Sequence, residues 1–266
     1  MELLVVRRRS VVSYLLPALA YLLLTGCNQD VSGYREMIYV FAVLNPGLRQ
    51  QTVIVDRSHS VDENLPDSMH AASGAEVKLW RENSSDTVVL GDQGRQGFYT
   101  DSLVPGRPWV FPCSSYRLSV RLDSFYGATR IAVPGAFAIT VPRAGETLHD
   151  PMGPDDTISI PVFRWGRSSR AARYRVLAVP HPAPKEEAMF TFPVVVSDTF
   201  ADVRPYYRMM FDSTGFYTIK VFASDSGRAG LHMQENRVDT IGQNVLADCG
   251  ARVIDSTLVF YLRLRP

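Results

Sequence analysis

The stretch Ser115-Tyr116-Arg117-Leu118-Ser119-Val120-Arg121-Leu122 alternates between large apolar and polar side chains. In an extended strand, successive side chains point to opposite faces, so the tyrosine, leucines and valine would share one face. The arginines and serines would share the other face. One face is therefore expected to be buried and the other hydrated, which is typical of an antiparallel sheet in a β-sandwich.

The same period of two recurs along most of the chain, with Gly, Pro, Asp and Ser between the apolar runs. In the first half, strands are predicted at 37–44, 51–55, 75–80, 87–90, 97–100, 115–122 and 129–133. In the second half, they are predicted at 158–165, 172–179, 189–196, 215–223, 237–241 and 257–264. Beyond the N-terminal segment, helix is expected only as a short turn near 204–211. The sequence therefore predicts an all-β fold.

Prolines, glycines and acidic residues cluster between 141 and 156, which is typical of a domain boundary. The chain of 266 residues is long enough for two domains of about 100 to 120 residues after a leader. The predicted organisation is a signal peptide at 1–26, a tether at 27–35, an N-terminal β-sandwich at 36–142, a linker at 143–157 and a C-terminal β-sandwich at 158–266.

Aromatic residues in the second half indicate the kind of sandwich. Trp165 and Tyr174 fall on consecutive predicted strands, an arrangement that resembles strands B and C of fibronectin type III domains. The run Gly215-Phe216-Tyr217-Thr218-Ile219-Lys220-Val221 resembles the strand that carries a tyrosine corner, in which the phenol bonds back to the backbone. Alternation places Trp165 and Tyr217 in the core, and the alternative is that they form a ligand platform.

The N-terminal segment resembles a lipoprotein signal. Three arginines at 7–9 precede an apolar run at 11–24, which ends in Leu22-Leu23-Leu24-Thr25-Gly26-Cys27. An uncleaved membrane anchor is the alternative, but the run is short for about 30 Å of hydrocarbon. The sequence predicts cleavage before Cys27 and lipidation of its thiol, which would hold the protein on a membrane of the cell envelope. Asn28 in the next position favours the outer membrane, and the periplasmic or surface face stays open.

The remaining cysteines and the charge narrow the function further. With Cys27 lipidated, Cys113 and Cys249 could form a disulfide in an oxidising compartment or stay as two thiols. The net charge is +1 and the arginines are scattered, so the sequence does not predict a nucleic-acid partner.

No catalytic motif or cofactor site is predicted, because the sequence has no close histidine pair, nucleophile elbow, P-loop or dinucleotide-binding glycine run. The metal candidate is a calcium site at Asp150, Asp155 and Asp156, where carboxylates could collect in the linker. A solvated acidic linker is the alternative. An enzyme, such as a glycan-active hydrolase, would instead need carboxylates facing each other across a cleft.

Six segments resemble a group of uncharacterised bacterial surface lipoproteins: VLNPG at 43–47, QTVIV at 51–55, GAEVKLW at 74–80, GFY at 97–99, YRLSV at 116–120 and VP at 133–134. The segment ADCGA at 247–251 is similar to a Gly-rich hairpin near the C-terminus of that family. The resemblance implies two tandem immunoglobulin-like or fibronectin type III-like β-sandwiches, no catalytic residues, and an outer-membrane TonB-dependent receptor as a neighbour.

The leading hypothesis is a lipid-anchored, non-catalytic envelope protein that binds a protein or a surface glycan. Binding residues are expected in the loops 58–73 and 180–188, because sandwiches display variable segments at their ends. A role as accessory to an outer-membrane receptor follows only from the resemblance. The competing hypotheses are a glycan-active hydrolase and a structural spacer of the envelope, and an exposed apolar patch would favour a binding module over a spacer.

Overall fold

The computed structural model describes residues 34–59, 72–94, 97–101, 108–150, 160–181, 193–226 and 239–263. Their regular structure is almost entirely β-strand, so the prediction of an all-β fold is confirmed. The strands are β1 Ile38–Leu44, β2 Thr52–Arg57, β3 Glu76–Arg81, β4 Thr87–Asp92, β5 Phe98–Thr100, β6 Ser115–Leu122, β7 Phe125–Ala132, β8 Ile139–Val141, β9 Thr147–His149, β10 Phe163–Trp165, β11 Arg173–Pro180, β12 Val194–Val196, β13 Phe200–Ala201, β14 Gly215–Ser224, β15 Asp239–Gln243 and β16 Val245–Leu262. A 3-10 turn at Arg204–Tyr206 and a one-turn helix, α1 Tyr207–Met210, occupy the predicted turn.

Strands β1 to β7 form a closed ring together with β15 and the first part of β16. The order is β1-β2-β5-β4-β3-β6-β7-β15-β16, and β16 also pairs with β1, which closes the ring. The β1–β16 pair is parallel, from Ile38 opposite Val245 to Leu44 opposite Ala251, and the other neighbours are antiparallel. The alternation of β6 is confirmed, because Tyr116, Leu118, Val120 and Leu122 are all buried in the first core.

The second half forms a sandwich of two sheets around a second core. One sheet has the order β12-β11-β14-β16-β9, and the other has the order β13-β10-β8. In immunoglobulin-like terms, β8, β10 and β13 correspond to strands A, B and E, and β11, β14 and β16 to C, F and G. Trp165 is 4% exposed and Tyr217 is 1% exposed, so both belong to the core as predicted. The rings of Trp165 and Tyr174 lie 5.3 Å apart, across the strands that correspond to B and C.

A single strand, β16, serves both cores. It is 18 residues long. Val245–Ala251 pair with β1 in the ring, and Arg252–Tyr261 pair with β14 in the sandwich. The first core is therefore completed by side chains from the end of the chain: Val245, Ala247, Ala251 and Val253.

This pairing bears on two sequence expectations. The hairpin expected at 247–251 is wrong: these residues lie inside β16, and the turn lies at Asn244, whose φ is 57°. All five residues pair with β1 there, and Ala247 also pairs with β15.

The division into domains at 36–142 and 158–266 stays a prediction. In the structure, 242–243 pair with β7 and 245–251 pair with β1, both strands of the first half, and β9 lies in the predicted linker.

The tyrosine corner predicted at Tyr217 is present. Its hydroxyl accepts a hydrogen bond from the Ser213 amide at 3.1 Å and lies 3.0 Å from the Ser213 carbonyl oxygen. It also donates to the Asp212 carboxylate. A phenol in the core can thereby stay hydrogen-bonded, which fixes the turn that leads from α1 into β14.

Replacing Tyr217 with Phe is expected to lower the free energy of unfolding by about 1 to 3 kcal/mol near pH 7, because the hydrogen bond from the phenol to the charged Asp212 carboxylate is lost. The hydrogen bond from Tyr217 lowers the pKa of Asp212. A lowered folded-state pKa gives stability that is present above the unfolded-state pKa and lost as the pH falls through the folded-state pKa. The difference between wild type and Tyr217→Phe should therefore narrow below about pH 4. Urea unfolding across the acid range measures it, and a difference independent of pH would contradict the coupling.

Candidate binding face

The predicted metal site is only partly within the described structure. Asp155, Asp156 and the lipidation residue Cys27 lie outside the described residues. Asp150 follows β9, and its carboxylate accepts a hydrogen bond from the Tyr261 hydroxyl. Within the described ranges, no group of three or more His, Cys, Asp or Glu residues could hold a metal ion. The calcium site stays a prediction.

Cys113 and Cys249 are both thiols in the structure and have different neighbours. Cys113 is exposed, and its Sγ lies 3.0 Å from the Ser169 Oγ. Cys249 points into the ring, where it packs against the first core and its Sγ lies 3.9 Å from the Val40 carbonyl oxygen.

The loops expected to carry binding residues lie mostly outside the described structure, since 60–71 and 182–192 are not described. Across the part of the chain that is described, no helix is long and apolar enough to cross a membrane. The surfaces that the described residues offer for binding are therefore mainly those of the strands.

The outward face of the sheet β12-β11-β14-β16 carries several large apolar side chains. Alternate residues of these strands point into the second core, so the residues between them point outward. We call this outward surface the C-terminal sheet face; its members are Val195 on β12, Arg175, Leu177 and Val179 on β11, Phe216, Thr218, Lys220 and Phe222 on β14, and Arg252, Ile254, Ser256, Leu258 and Phe260 on β16.

Exposed apolar side chains lie at both ends of this face. Phe216 is 52% exposed, Leu258 41%, and Ile254 and Val195 38% each. Phe216 lies opposite Phe260 in the β14–β16 register, with the two rings 5.0 Å apart, and Leu258 is the next outward residue before Phe260 on β16. Single exposed apolar residues are common on protein surfaces, whereas adjacent ones are typical of interaction surfaces.

The centre of the C-terminal sheet face is a small apolar cluster of its own. Leu177, Val179 and Phe222 are each less than 9% exposed and form a cluster separate from both cores. The centre of the face is thus largely desolvated, and the exposed rim lies on β12, on β16 and at the start of β14.

Two arginines border this cluster. Arg175 lies opposite Phe222 in the β11–β14 register, and the Arg252 guanidinium lies over the Phe222 ring, 5.6 Å from its centroid. The Nε atoms of both arginines are buried and have no hydrogen-bond partner. Burial, and then the charge of Arg252, lower the pKa of Arg175, and burial lowers the pKa of Arg252. None of the described members of the face is acidic, so the face is basic as well as apolar.

Sequence analysis missed this face because it assigned binding to loops. One signal was available: the strand 215–223 has large apolar residues, Phe216 and Phe222, on the side opposite to the buried Tyr217. A second signal could not be read, since Arg175 and Arg252 become neighbours only through the pairing of β11, β14 and β16.

The second half of the chain packs two sheets around one core in an immunoglobulin-like strand order. The protein is therefore an all-β protein with an immunoglobulin-like β-sandwich. Neither a family model nor a curated protein matches the chain. The resemblance to surface lipoproteins therefore stays a prediction.

Comparison with solved structures gives distant similarity. A tetra-tandem repeat from the extending region of a large adhesion protein is 10% identical, with a TM-score of 0.22, over 85% of this chain and 49% of that chain. The human mucin-like protocadherin EC1-2 is 10% identical, with a TM-score of 0.19, over 76% of this chain and 92% of that one. The N-terminal four Ig domains of Dscam1 are 10% identical, with a TM-score of 0.18, over 80% and 43%. The chain spans about half the length of the first of these.

Proposed function

We propose that this protein is a lipid-anchored, non-catalytic component of the cell envelope that binds a protein or glycan partner through its C-terminal sheet face. The observation that carries the proposal is the adjacent row of Phe216, Phe260 and Leu258, in which Phe216 and Leu258 are exposed. Such a row is costly in water and becomes favourable when a partner covers it.

The face favours a binding protein over a passive spacer, and a glycan-active hydrolase, which would need two carboxylates across a cleft, stays the alternative. A passive spacer gains nothing from exposed phenylalanine, whereas aromatic and arginine side chains are enriched at binding interfaces.

Lipid on Cys27 would supply the location. The tether at 27–35 would separate the membrane from β1, the first strand of the ring. In this arrangement the anchor restricts the protein to a membrane surface, and the sheet face provides recognition. A receptor of the outer membrane is the partner that the resemblance implies.

Changing Phe216 to Asp is expected to reduce recovery of the partner about tenfold or more, because a buried aromatic anchor at an interface is worth about 2 kcal/mol or more. The measurement is affinity capture from the native envelope with lipidated protein, followed by mass spectrometry. The matched control is Tyr126→Asp on β7, since Tyr126 is 54% exposed and Phe216 is 52% exposed.

Cys27→Ala serves as the control for the anchor and should lose both lipid and envelope association. Equal partner recovery by the Phe216 and Tyr126 variants would contradict the assignment of the face. Recovery of nothing but abundant background by folded wild-type protein would contradict the protein-partner form, and a glycan array would then test the glycan form.

A further inference from the structure

Arg175 and Arg252 stand apart from other arginines of the fold. Arg57 is paired with Glu36 and Asp123, and Arg117 and Arg130 share Glu82. By contrast, neither Arg175 nor Arg252 has an ion pair or hydrogen bond with any described residue, and the Nε of each is buried. A buried polar group without a partner costs free energy, so it requires an explanation.

Both arginines lie next to Phe222 in the sheet. Arg175 on β11 is directly opposite Phe222 on β14 in the strand register, and the guanidinium of Arg252 on β16 lies over the Phe222 ring. The two arginines therefore flank Phe222 from the strands on both sides of β14. A guanidinium over an aromatic face keeps its in-plane N–H groups available for a carboxylate, which it can bind through two parallel hydrogen bonds.

In the free protein, no acidic group among the described residues pairs with Arg175 or Arg252. The two arginines lie on a partly desolvated surface, and the charge of Arg252 disfavours the charged form of Arg175. An anion placed between them would relieve the repulsion and supply the missing acceptors. The site is thus complementary to negative charge before any partner arrives.

The surroundings of the arginines indicate what carries the negative charge. Ile254, Leu258 and Phe216 form an apolar rim, and the cluster of Leu177, Val179 and Phe222 forms an apolar floor. A highly hydroxylated ligand would leave its polar groups without partners against such a surface. A polypeptide segment that carries acidic side chains beside apolar ones satisfies both the cations and the apolar floor.

We propose that Arg175 and Arg252 form an anion-binding pair that receives the carboxylates of an acidic, apolar-containing segment of a partner protein. This proposal rests on the proposed function, because it names the partner class for the same face. The Phe222 ring lies under the Arg252 guanidinium, and the apolar rim accepts the side chains between the carboxylates.

The test is fluorescence anisotropy with the folded, lipidated chain in detergent and a labelled peptide of repeating Glu-Leu dipeptides. A Gln-Leu peptide is the neutral probe, and a sulfated heparin oligosaccharide is the glycan probe. The Glu-Leu peptide should bind wild-type protein, and Arg175→Gln with Arg252→Gln together should weaken its affinity about tenfold or more. Arg121→Gln on β6, an exposed arginine of the ring, is the charge control and should leave the affinity unchanged.

A second measurement guards against misfolding. Because the two charges have no partner in the free protein, the double variant should keep its Tm or raise it, whereas cations needed for structure would lower it. Unchanged peptide affinity in the double variant, equal binding of the Gln-Leu peptide, or no binding to wild type would overturn the proposal. Preference for the sulfated glycan would overturn the polypeptide assignment.

The failure of this proposal can be distinguished from failure of the proposed function. If Phe216→Asp loses the envelope partner but the arginine double variant retains it, the face still binds and only the anion pair is wrong. If both variants retain the partner, the face itself is wrong.

Discussion

A fragment of residues 36–142 is expected to remain unfolded when it is made without the rest of the chain. The fragment lacks β15 and β16, so β1 and β7 both lose their ring neighbours. It also lacks four side chains of the first core, those of Val245, Ala247, Ala251 and Val253. Burying a valine is worth about 1.5 to 3 kcal/mol. The loss is therefore comparable with the total stability of a domain, about 5 to 15 kcal/mol.

Circular dichroism and the dispersion of an amide proton spectrum measure this result. Joining 239–253 to the fragment through a flexible linker should restore the spectrum of a folded protein. The same joined segment with Val245→Asp and Ala247→Asp should not restore it, because both positions point into the first core. Cooperative unfolding of 36–142 alone would instead show that the N-terminal sandwich folds independently.

Changing Gly242 to Ala is expected to lower the free energy of unfolding by about 3 kcal/mol or more, which corresponds to a fall in Tm of roughly 6 to 12 °C. Gly242 lies opposite Gly127 where β15 joins β7. A Cβ added at Gly242 would lie 2.0 Å from the Tyr126 carbonyl oxygen. A backbone oxygen cannot move aside as a flexible side chain can, so the two strands would separate and open the ring.

Gly215→Ala on β14 is the matched control. A Cβ at Gly215 has no heavy atom within 4 Å, so this change should alter the free energy of unfolding by about 1 kcal/mol or less. Thermal unfolding of both variants compares the two glycines in the same element type. Equal stability of the two variants would mean that the β7–β15 contact is not needed to close the ring.

The sequence predicted which residues are buried better than it predicted the short strands and the pairing of strands. Alternation in β6 identified its buried side, and the spacing around Tyr217 identified the tyrosine corner. Both features depend on neighbours along the chain, and the physical signal is therefore local. Short strands without a clear period, such as β8 and β13, were not found.

The candidate face was harder to predict for a related reason. The sequence pattern does not distinguish one outward-facing arginine on a strand from another. Arg175 and Arg252 become candidates for a binding site only because strand pairing places both next to Phe222. Their lack of an acidic partner is likewise a property of the assembled sheet. Sequence analysis placed binding on loops at the sandwich ends, and those loops lie mostly outside the described residues.

Alternation along the chain was enough to predict an all-β protein and the buried side of many strands, since the pleat turns alternation directly into two faces. The parallel pairing of β16 with β1, its antiparallel pairing with β14 and its course through both cores follow from the folded chain alone. The reason is that strands pair through backbone N–H and C=O groups, which are the same in nearly every residue. Partner and register are therefore set by how the whole chain buries its apolar faces.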